Sequence, residues 1–175
     1  MLPFCVALML NFWVSLSIFP GVAVLIQPNQ HLLLTDSFWT SKFFLPVCCF
    51  FLFNLCDYLG RYLGSFILLK EKHIFSLLSI ALFRVIFIPL FLFCNLIPAF
   101  YSRHLPVVFY SEYFYIVFMI LFGLSNGYIV LNVFVNGPLS VPPEYRKLSG
   151  FFLMLFLGLG LTFGSFTSTV LVRVL

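Results

Sequence analysis

Three charged side chains of this sequence fall within long apolar stretches, where charge is costly. Asp57 and Arg61 lie near the middle of one stretch, and Arg84 lies near the middle of the next. A carboxylate and a guanidinium four residues apart share a helix face, so they can pair with each other or offer an acceptor and a donor to a polar ligand. Arg84 adds a second positive charge without a second buried acid, which predicts that polar atoms are drawn towards it.

An aromatic ring and an amide extend the pair into a stripe. Four side chains would point within about 60° of one another on a helix. They are Phe50, Asn54, Asp57 and Arg61. The residues alone leave two interpretations open: an internal ion pair with a structural role, or a binding site that combines an aromatic wall with an acceptor and a donor.

A second group of polar residues lies in a later apolar stretch. Ser125, Asn132 and Asn136 share one helix face, and Asn126 points to another side. Amides in hydrocarbon mostly join helices, each contributing about 0.6 to 2 kcal/mol. We therefore expect a structural role for this group.

The composition identifies the solvent around these residues. Of the 175 residues, 63% are hydrophobic and 8% are charged. A soluble domain is about 25% charged, so the surface of this chain is unsuited to water and a lipid bilayer is expected around it. A net charge of +4 is too small to indicate a nucleic-acid surface.

Five stretches reach the length of about 20 apolar residues that a membrane helix needs. They run over residues 4–26, 43–69, 74–98, 113–136 and 148–172. Pro142, Pro143 and Glu144 precede the last one and are typical of a helix start. The sequence thus predicts an all-α polytopic membrane protein whose residues 1–175 form a single membrane domain of five transmembrane helices.

Small residues and prolines predict how these helices pack. Glycines recur four residues apart in three spans, at positions 60 and 64, 123 and 127, and 160 and 164. This spacing lets membrane helices approach closely. Pro20 and Pro89 remove helix hydrogen bonds and should bend the first and third spans.

The sequence gives little support for a metal site, a cofactor site or an enzyme active site. The five cysteines lie inside apolar runs, and His31, His73 and His104 are far apart along the chain. No nucleophile has a histidine partner at hand, no carboxylates are paired, and no glycine loop could hold a phosphate. We expect no metal, no cofactor and no enzymatic activity.

Several motifs resemble the equilibrative nucleoside transporter family. The segment 53–61, FNLCDYLGR, is similar to the FN-x-x-D-[WY]-x-GR signature of its eighth helix. Four further segments resemble the seventh, ninth, tenth and eleventh helices in the same order: Leu16–Pro20, Arg84–Leu90, Ser125–Tyr128 and Leu157–Ser165. The resemblance is colinear over nearly the whole chain.

The resemblance implies an architecture. Members of the family have a six-helix half and a five-helix half, arranged as in major facilitator transporters. This chain corresponds to the second half, spans seven to eleven, so the N-terminal six-helix half is expected to be absent. Alternating access needs two halves that move about a shared site, so we expect no transport by this chain alone.

The resemblance also implies a membrane orientation. The family has a cytoplasmic N-terminus and an extracellular C-terminus, and the plasma membrane is its commonest location. The charge count agrees weakly, with four cations on the N-terminal side and three on the other. The first group is Lys70, Lys72, Arg146 and Lys147, and the second is Lys42, Arg103 and Arg173.

Roles for individual residues follow from the same resemblance. Asp57 and Arg61 would contact the sugar hydroxyls of a nucleoside, and Asn54 would lie beside them. Phe19, Phe50 and Leu161 would line the pocket and pack on the base. A flat base and a hydroxyl-rich ribose suit an aromatic wall beside an acceptor and a donor. Arg84 is interpreted as structural.

Two alternatives accompany facilitated transport of nucleosides or nucleobases. The chain could be a truncated isoform or a non-transporting membrane subunit that binds a full-length relative through its glycine faces. Proton-coupled transport is a further alternative, since Asp57 could carry a proton. The nearby Arg61 argues against coupling because it favours the charged carboxylate.

Overall fold

A computed structural model describes residues 1–27, 42–69, 74–96 and 106–174. These residues form six α-helices, with shorter helical turns between some of them. The α-helices are α1 (Leu2–Ile18), α2 (Leu52–Phe66), α3 (Ile74–Phe83), α4 (Phe87–Leu92), α5 (Glu112–Leu139) and α6 (Arg146–Val174). Outside the described residues lie the three histidines, the predicted end of the third span at Pro98, and three cations of the charge count, Lys70, Lys72 and Arg103.

The first span is interrupted at Pro20, as its position predicted. Helix α1 ends at Ile18, and Phe19 is extended, with φ −102° and ψ 130°. A residue before proline is driven out of helical geometry by contact with the proline ring, which explains the extended Phe19. The chain then continues as a short 3₁₀ turn, Ala23–Leu25.

The second and third spans are each built from two helical geometries. A seven-residue π-helix, Leu45–Phe51, leads directly into α2. In the third span, a 3₁₀ turn at Arg84–Ile86 separates α3 from α4. Pro89 of α4 lacks an N–H and crowds the carbonyl four residues earlier, in that turn, which accounts for the predicted bend.

Helices α5 and α6 have clear start signals. The hydroxyl of Ser111 accepts from the N–H of Tyr113 at 3.4 Å, and Glu112 lies in the first turn of α5. A 3₁₀ turn, Pro143–Tyr145, precedes α6, in agreement with the predicted start. Helix α5 continues through Pro138 to Leu139, three residues beyond the approximate end expected for the fourth span. A proline in the last turn removes one hydrogen bond and leaves the rest of the helix intact.

The helices have the length and composition of membrane spans. Four segments meet both criteria: Leu2–Leu25, Ile74–Leu92, Glu112–Leu139 and Pro143–Arg173. The remaining predicted span is the π-helix with α2, which carries Asp57 and Arg61 and is therefore less apolar. The all-α membrane architecture expected from composition is confirmed, with four to five helices able to cross a bilayer.

The helices pack in an arc around α5 and α1. Helix α2 packs mainly on α5, and α6 packs mainly on α1. Helices α3 and α4 contact both central helices, and α1 contacts α5. Buried aromatic rings fill the space between α4 and α5, where Phe91 lies 5.6 Å from Phe122 and 5.8 Å from Tyr115, measured between ring centroids.

The glycine pairs lie at the closest helix contacts. A Cβ added to Gly127 would collide with the Asp57 carbonyl, and one added to Gly60 would collide with that of Leu124. Gly160 meets the backbone of Met9 in the same way on the other side of the arc. The chain's own helices thus occupy these glycine faces. This placement contradicts the hypothesis that a full-length relative binds through them.

Candidate functional site

The polar stripe lies on an open side of α2 and of the π-helix that precedes it. Phe50 and Asn54 are exposed, the Arg61 side chain is 48% exposed, and that of Asp57 is 16% exposed. Helix α2 packs on α5 through its glycine face, which turns the stripe away from the described helices.

Asp57 and Arg61 form the i, i+4 ion pair that their spacing predicted. The Arg61 Nη2 and Nε atoms donate to the same carboxylate oxygen, Asp57 Oδ2, at 2.8 and 3.0 Å. Asn54 Nδ2 donates to the Phe50 carbonyl at 2.8 Å. The side-chain oxygen of Asn54, a strong acceptor, stands one turn from the ion pair on the exposed face.

An aromatic wall stands at one end of the stripe. Phe19, extended beyond the end of α1, meets Phe50 edge to face with ring centroids 5.5 Å apart. It also stacks on Phe53, at 4.3 Å between centroids and 18° between planes. The sequence predicted Phe19 and Phe50 as wall residues, and the structure brings them together. It adds Phe53, which sequence reasoning used only as part of a motif.

A cavity of about 400 Å³ opens beside Phe19, between α1 and α6. Hydroxyl-bearing residues of α6, Ser165, Ser168 and Thr169, form much of its lining. Leu161 lies one turn before Ser165 on the same side of α6. Since α6 packs mainly on α1, Leu161 belongs to a different helix pair from the stripe, which lies on the pair of α2 and α5.

A side-chain amide inside the protein holds the Asp57 carboxylate by a hydrogen bond. Asn126 Nδ2 of α5 donates to Asp57 Oδ1 at 2.6 Å. The other end of that amide, Asn126 Oδ1, faces α1 and accepts from Asn11 Nδ2 at 2.8 Å and from Ser15 Oγ at 2.7 Å. Three helices are therefore joined at Asn126, which is itself buried.

Arg84 lies at the inner end of the same network. Its side chain is 1% exposed, and its Nη1 donates to the Phe122 carbonyl at 2.7 Å and to the Ser125 hydroxyl. Its Nη2 donates to Ser15 Oγ at 2.9 Å. The guanidinium carbon lies 4.5 Å from the centroid of the Phe122 ring, within the range of cation–π attraction. Polar atoms are drawn to Arg84, as its charge predicted.

Asn132 and Asn136 bind the end of the second span. Asn132 Oδ1 accepts from the Leu69 N–H at 2.9 Å, and Asn136 Nδ2 donates to the Leu69 carbonyl at 2.8 Å. Both groups of the Leu69 backbone lie beyond the regular hydrogen bonding of α2, so the amides replace partners that the helix end lacks.

Sequence reasoning missed the part of the site contributed by α1. Asn11 and Ser15 are one turn apart on a buried face of an otherwise apolar helix, a signal visible in the sequence. Asn126 was expected to point away from the other polar residues of α5, without a link to Asp57. Among the described residues, no three His, Cys, Asp or Glu side chains are close enough to hold a metal ion.

Comparisons with known proteins give one consistent result. The family described as Nucleoside transporter matches residues 2–173. The chain is 36% identical over 158 residues to equilibrative nucleoside transporter 2 of Rattus norvegicus, covering 90% of this chain and 33% of that protein. Over 171 residues it is 36% identical to equilibrative nucleoside transporter 3 of Rattus norvegicus, covering 97% and 34% respectively.

A human relative gives the same result. Equilibrative nucleoside transporter 1 of Homo sapiens is 35% identical over 154 residues, covering 88% of this chain and 32% of that protein. The chain thus spans about a third of the length of the curated relatives it matches.

Proposed function

The chain belongs to the nucleoside transporter family, and from this premise we propose that it supplies one wall of a site for facilitative nucleoside transport. The observation that carries the proposal is the stripe on α2, where Phe19 and Phe50 adjoin Asn54, Asp57 and Arg61. An aromatic wall, an acceptor and a donor lie side by side on an open face, and a nucleoside presents the complementary groups.

Each part of the ligand has a partner of suitable chemistry. Asp57 accepts from the ribose hydroxyls, and the unused donors of Arg61 reach neighbouring ring or base acceptors. The amide oxygen of Asn54 supplies a further acceptor one turn away. Phe19 and Phe50 bury the flat apolar base against ring edges and faces. Nucleobases would use the aromatic wall and leave Asp57 without its hydroxyl partners.

The open face also supports the proposal that further helices cover it. Arg61 is 48% exposed near the middle of the second span, and a charge facing hydrocarbon at that depth costs about 2.5 to 3.5 kcal/mol. We propose that a six-helix half, on the same polypeptide or on another, supplies the opposite wall. A full-length relative is one such partner, docked through the open stripe rather than through the glycine faces.

Transport then proceeds by alternating access between the two halves, without a cofactor. Both oxygens of Asp57 already accept hydrogen bonds, from Asn126 and from Arg61. A carboxylate fixed in this way suits ligand binding, so we propose no proton coupling. We propose that the protein lies in the plasma membrane, with its N-terminus in the cytoplasm and its C-terminus outside the cell.

A chimaera tests this function directly. Residues 2–173 replace the matching third of equilibrative nucleoside transporter 2 of Rattus norvegicus, and uptake of radiolabelled uridine is measured in cells with little transport of their own. We expect saturable uptake that Asp57→Ala abolishes. Glu112→Gln is the matched control, because Glu112 is an acid at the start of α5, away from the stripe.

The outcomes separate cleanly when the amount of chimaera in the membrane is measured by surface labelling. Full uptake by Asp57→Ala at normal surface level would overturn the proposal, as would equal losses in Asp57→Ala and Glu112→Gln. The chain expressed without a second half should show no saturable, Asp57-dependent uptake; such uptake would show that it needs no opposite wall.

A further inference from the structure

A chain of hydrogen bonds runs from the buried Arg84 to the exposed stripe. It passes from Arg84 Nη2 to Ser15 Oγ at 2.9 Å, from Ser15 Oγ to Asn126 Oδ1 at 2.7 Å, and from Asn126 Nδ2 to Asp57 Oδ1 at 2.6 Å. Arg84 lies between α3 and α4, Ser15 in α1, Asn126 in α5 and Asp57 in α2. These hydrogen bonds thus link the core of the fold to the carboxylate proposed to bind ribose.

The chemistry of the donor groups fixes the direction of these hydrogen bonds. A guanidinium has only donors, so Ser15 must accept from Arg84 and has its own hydrogen left to donate. That hydrogen is within reach of two acceptors, Asn126 Oδ1 and the Asn11 carbonyl, each 2.7 Å away. The amide nitrogen of Asn11 also donates to Asn126 Oδ1. Asn126 Oδ1 therefore accepts from Asn11 and lies within reach of the Ser15 hydrogen.

The Asp57 carboxylate fixes the orientation of Asn126. Turned the other way, the amide would present its oxygen to a carboxylate, which offers only acceptors, and this contact would be repulsive. Asn11 and Ser15 then supply the hydrogen bonds that the amide oxygen needs on the other side. The native orientation satisfies both sides and directs an N–H at Asp57 Oδ1, while Arg61 holds Oδ2. The carboxylate is held at both oxygens, in one rotamer.

We propose that Asn126 is a positioning residue: hydrogen-bonded to Asn11 and to Ser15, which Arg84 contacts in turn, it holds Asp57 as a fixed acceptor for the sugar hydroxyls of the ligand. This inference rests on the proposed function. It assigns to Asn126 a task beyond joining helices, because the geometry of Asp57 depends on it. A ligand without those hydroxyls gains nothing from that geometry.

The test uses a ratio that does not depend on how much protein folds. In the chimaera, inhibition constants are measured for uridine and for 2′,3′-dideoxyuridine, and the preference for uridine is their ratio. We expect Asn126→Ala to reduce this preference by about tenfold, the effect of losing one hydrogen bond to a charged group. Asp57→Asn should reduce it at least as much.

Asn132→Ala is the matched control. Asn132 is a buried amide on the same helix, but its partners are Leu69 and the Tyr128 carbonyl rather than Asp57. It should lower the amount of folded protein and leave the uridine preference unchanged. A double variant, Asp57→Asn with Asn126→Ala, should show no further loss of preference than Asp57→Asn alone.

Failure of the inference and failure of the proposed function give different results. If Asp57→Asn lowers the preference and Asn126→Ala does not, the positioning role is wrong and the proposed function stands. If Asp57→Asn leaves the preference intact, the proposed function is wrong at its main residue. An equal loss in Asn132→Ala and Asn126→Ala would reduce Asn126 to a packing role and overturn the inference.

A second measurement needs no transport and uses this chain itself. The ¹³C resonance of the Asp57 carboxylate is recorded in lipid nanodiscs and assigned by its loss in Asp57→Asn. Asn126→Ala should shift this resonance, and Asn132→Ala should not. An unmoved carboxylate in Asn126→Ala would overturn the positioning role even if the chimaera were inactive.

Discussion

At the scale of single residues, the stripe depends on how completely Asp57 is held. Its two oxygens accept from side chains on opposite sides, Asn126 from within the bundle and Arg61 from the exposed face. A carboxylate has about four acceptor positions, of which Asn126 uses one and Arg61 two, so about one remains for a ligand, on Oδ1. Asn126 and Arg61 set the direction in which that position points.

Replacing Arg61 with lysine tests the geometric part of this anchoring. Lysine keeps the charge but cannot place two donors on one oxygen in the planar manner of Nε and Nη2. We expect Arg61→Lys in the chimaera to raise the KM for uridine about fivefold, equivalent to about 1 kcal/mol. Arg146→Lys, at the exposed start of α6, should leave KM unchanged. Equal KM values in both variants would show that charge alone is sufficient at position 61.

Arg84 is expected to act on stability before it acts on binding. Arg84→Met removes donors from the Phe122 carbonyl, Ser125 and Ser15 inside the bundle. Unsatisfied buried groups cost about 1 to 3 kcal/mol each, partly relieved where new partners are found. We expect the midpoint of thermal unfolding in detergent to fall by about 5 to 10 °C. An unchanged midpoint would mean that these contacts do not stabilise the fold.

At the scale of helices, the sequence predicted the apolar spans and their order, because length and hydropathy are local properties. It also predicted the interruptions at Pro20 and Pro89, since proline acts on its own neighbours. It could not place Arg61 on an open face or connect Asn126 to Asp57. Those facts depend on the close approach of α2 to α5, which arises from packing rather than from local pattern.

The contact of α2 with α5 leads to a prediction about Gly127. A Cβ at this position would collide with the Asp57 carbonyl and the Arg61 N–H, so Gly127→Ala must push α2 away from α5. Overpacking of this kind costs about 1 to 3 kcal/mol. We expect a lower unfolding midpoint and a weaker preference for uridine over its dideoxy analogue, because Asp57 moves relative to Asn126.

Gly158 is the matched control on α6. A Cβ at this position meets nothing within 4 Å, and alanine is the better helix former, so Gly158→Ala should keep or slightly raise the midpoint. If Gly127→Ala proved as benign as Gly158→Ala, the tight contact of α2 with α5 would not be needed for the fold.

At the scale of the whole molecule, the proposed orientation can be tested at cations near the two ends of α6. Arg146 and Lys147 begin α6, and Arg173 lies near its other end. Single cysteines are placed at positions 147 and 173 after the five native cysteines, all buried at the described positions, are replaced. In intact cells an impermeant thiol reagent should label Arg173→Cys, and Lys147→Cys only after permeabilisation. The reverse pattern would invert the proposed orientation.

The pairing of helices also has a consequence for how the protein is made. Helix α2, the most polar of the spans, packs mainly on α5, and α1 packs mainly on α6. In both pairs the second helix is synthesised much later than the first. At usual translation rates, ribosomes need about 4 to 15 s to proceed from Phe66 to Leu139. During this interval Asp57 and Arg61 lack the neighbours that α5 supplies. Until α5 emerges, Arg61 is the side-chain partner that α2 itself offers Asp57, so we expect water or the insertion machinery to satisfy the carboxylate oxygen that Asn126 later binds.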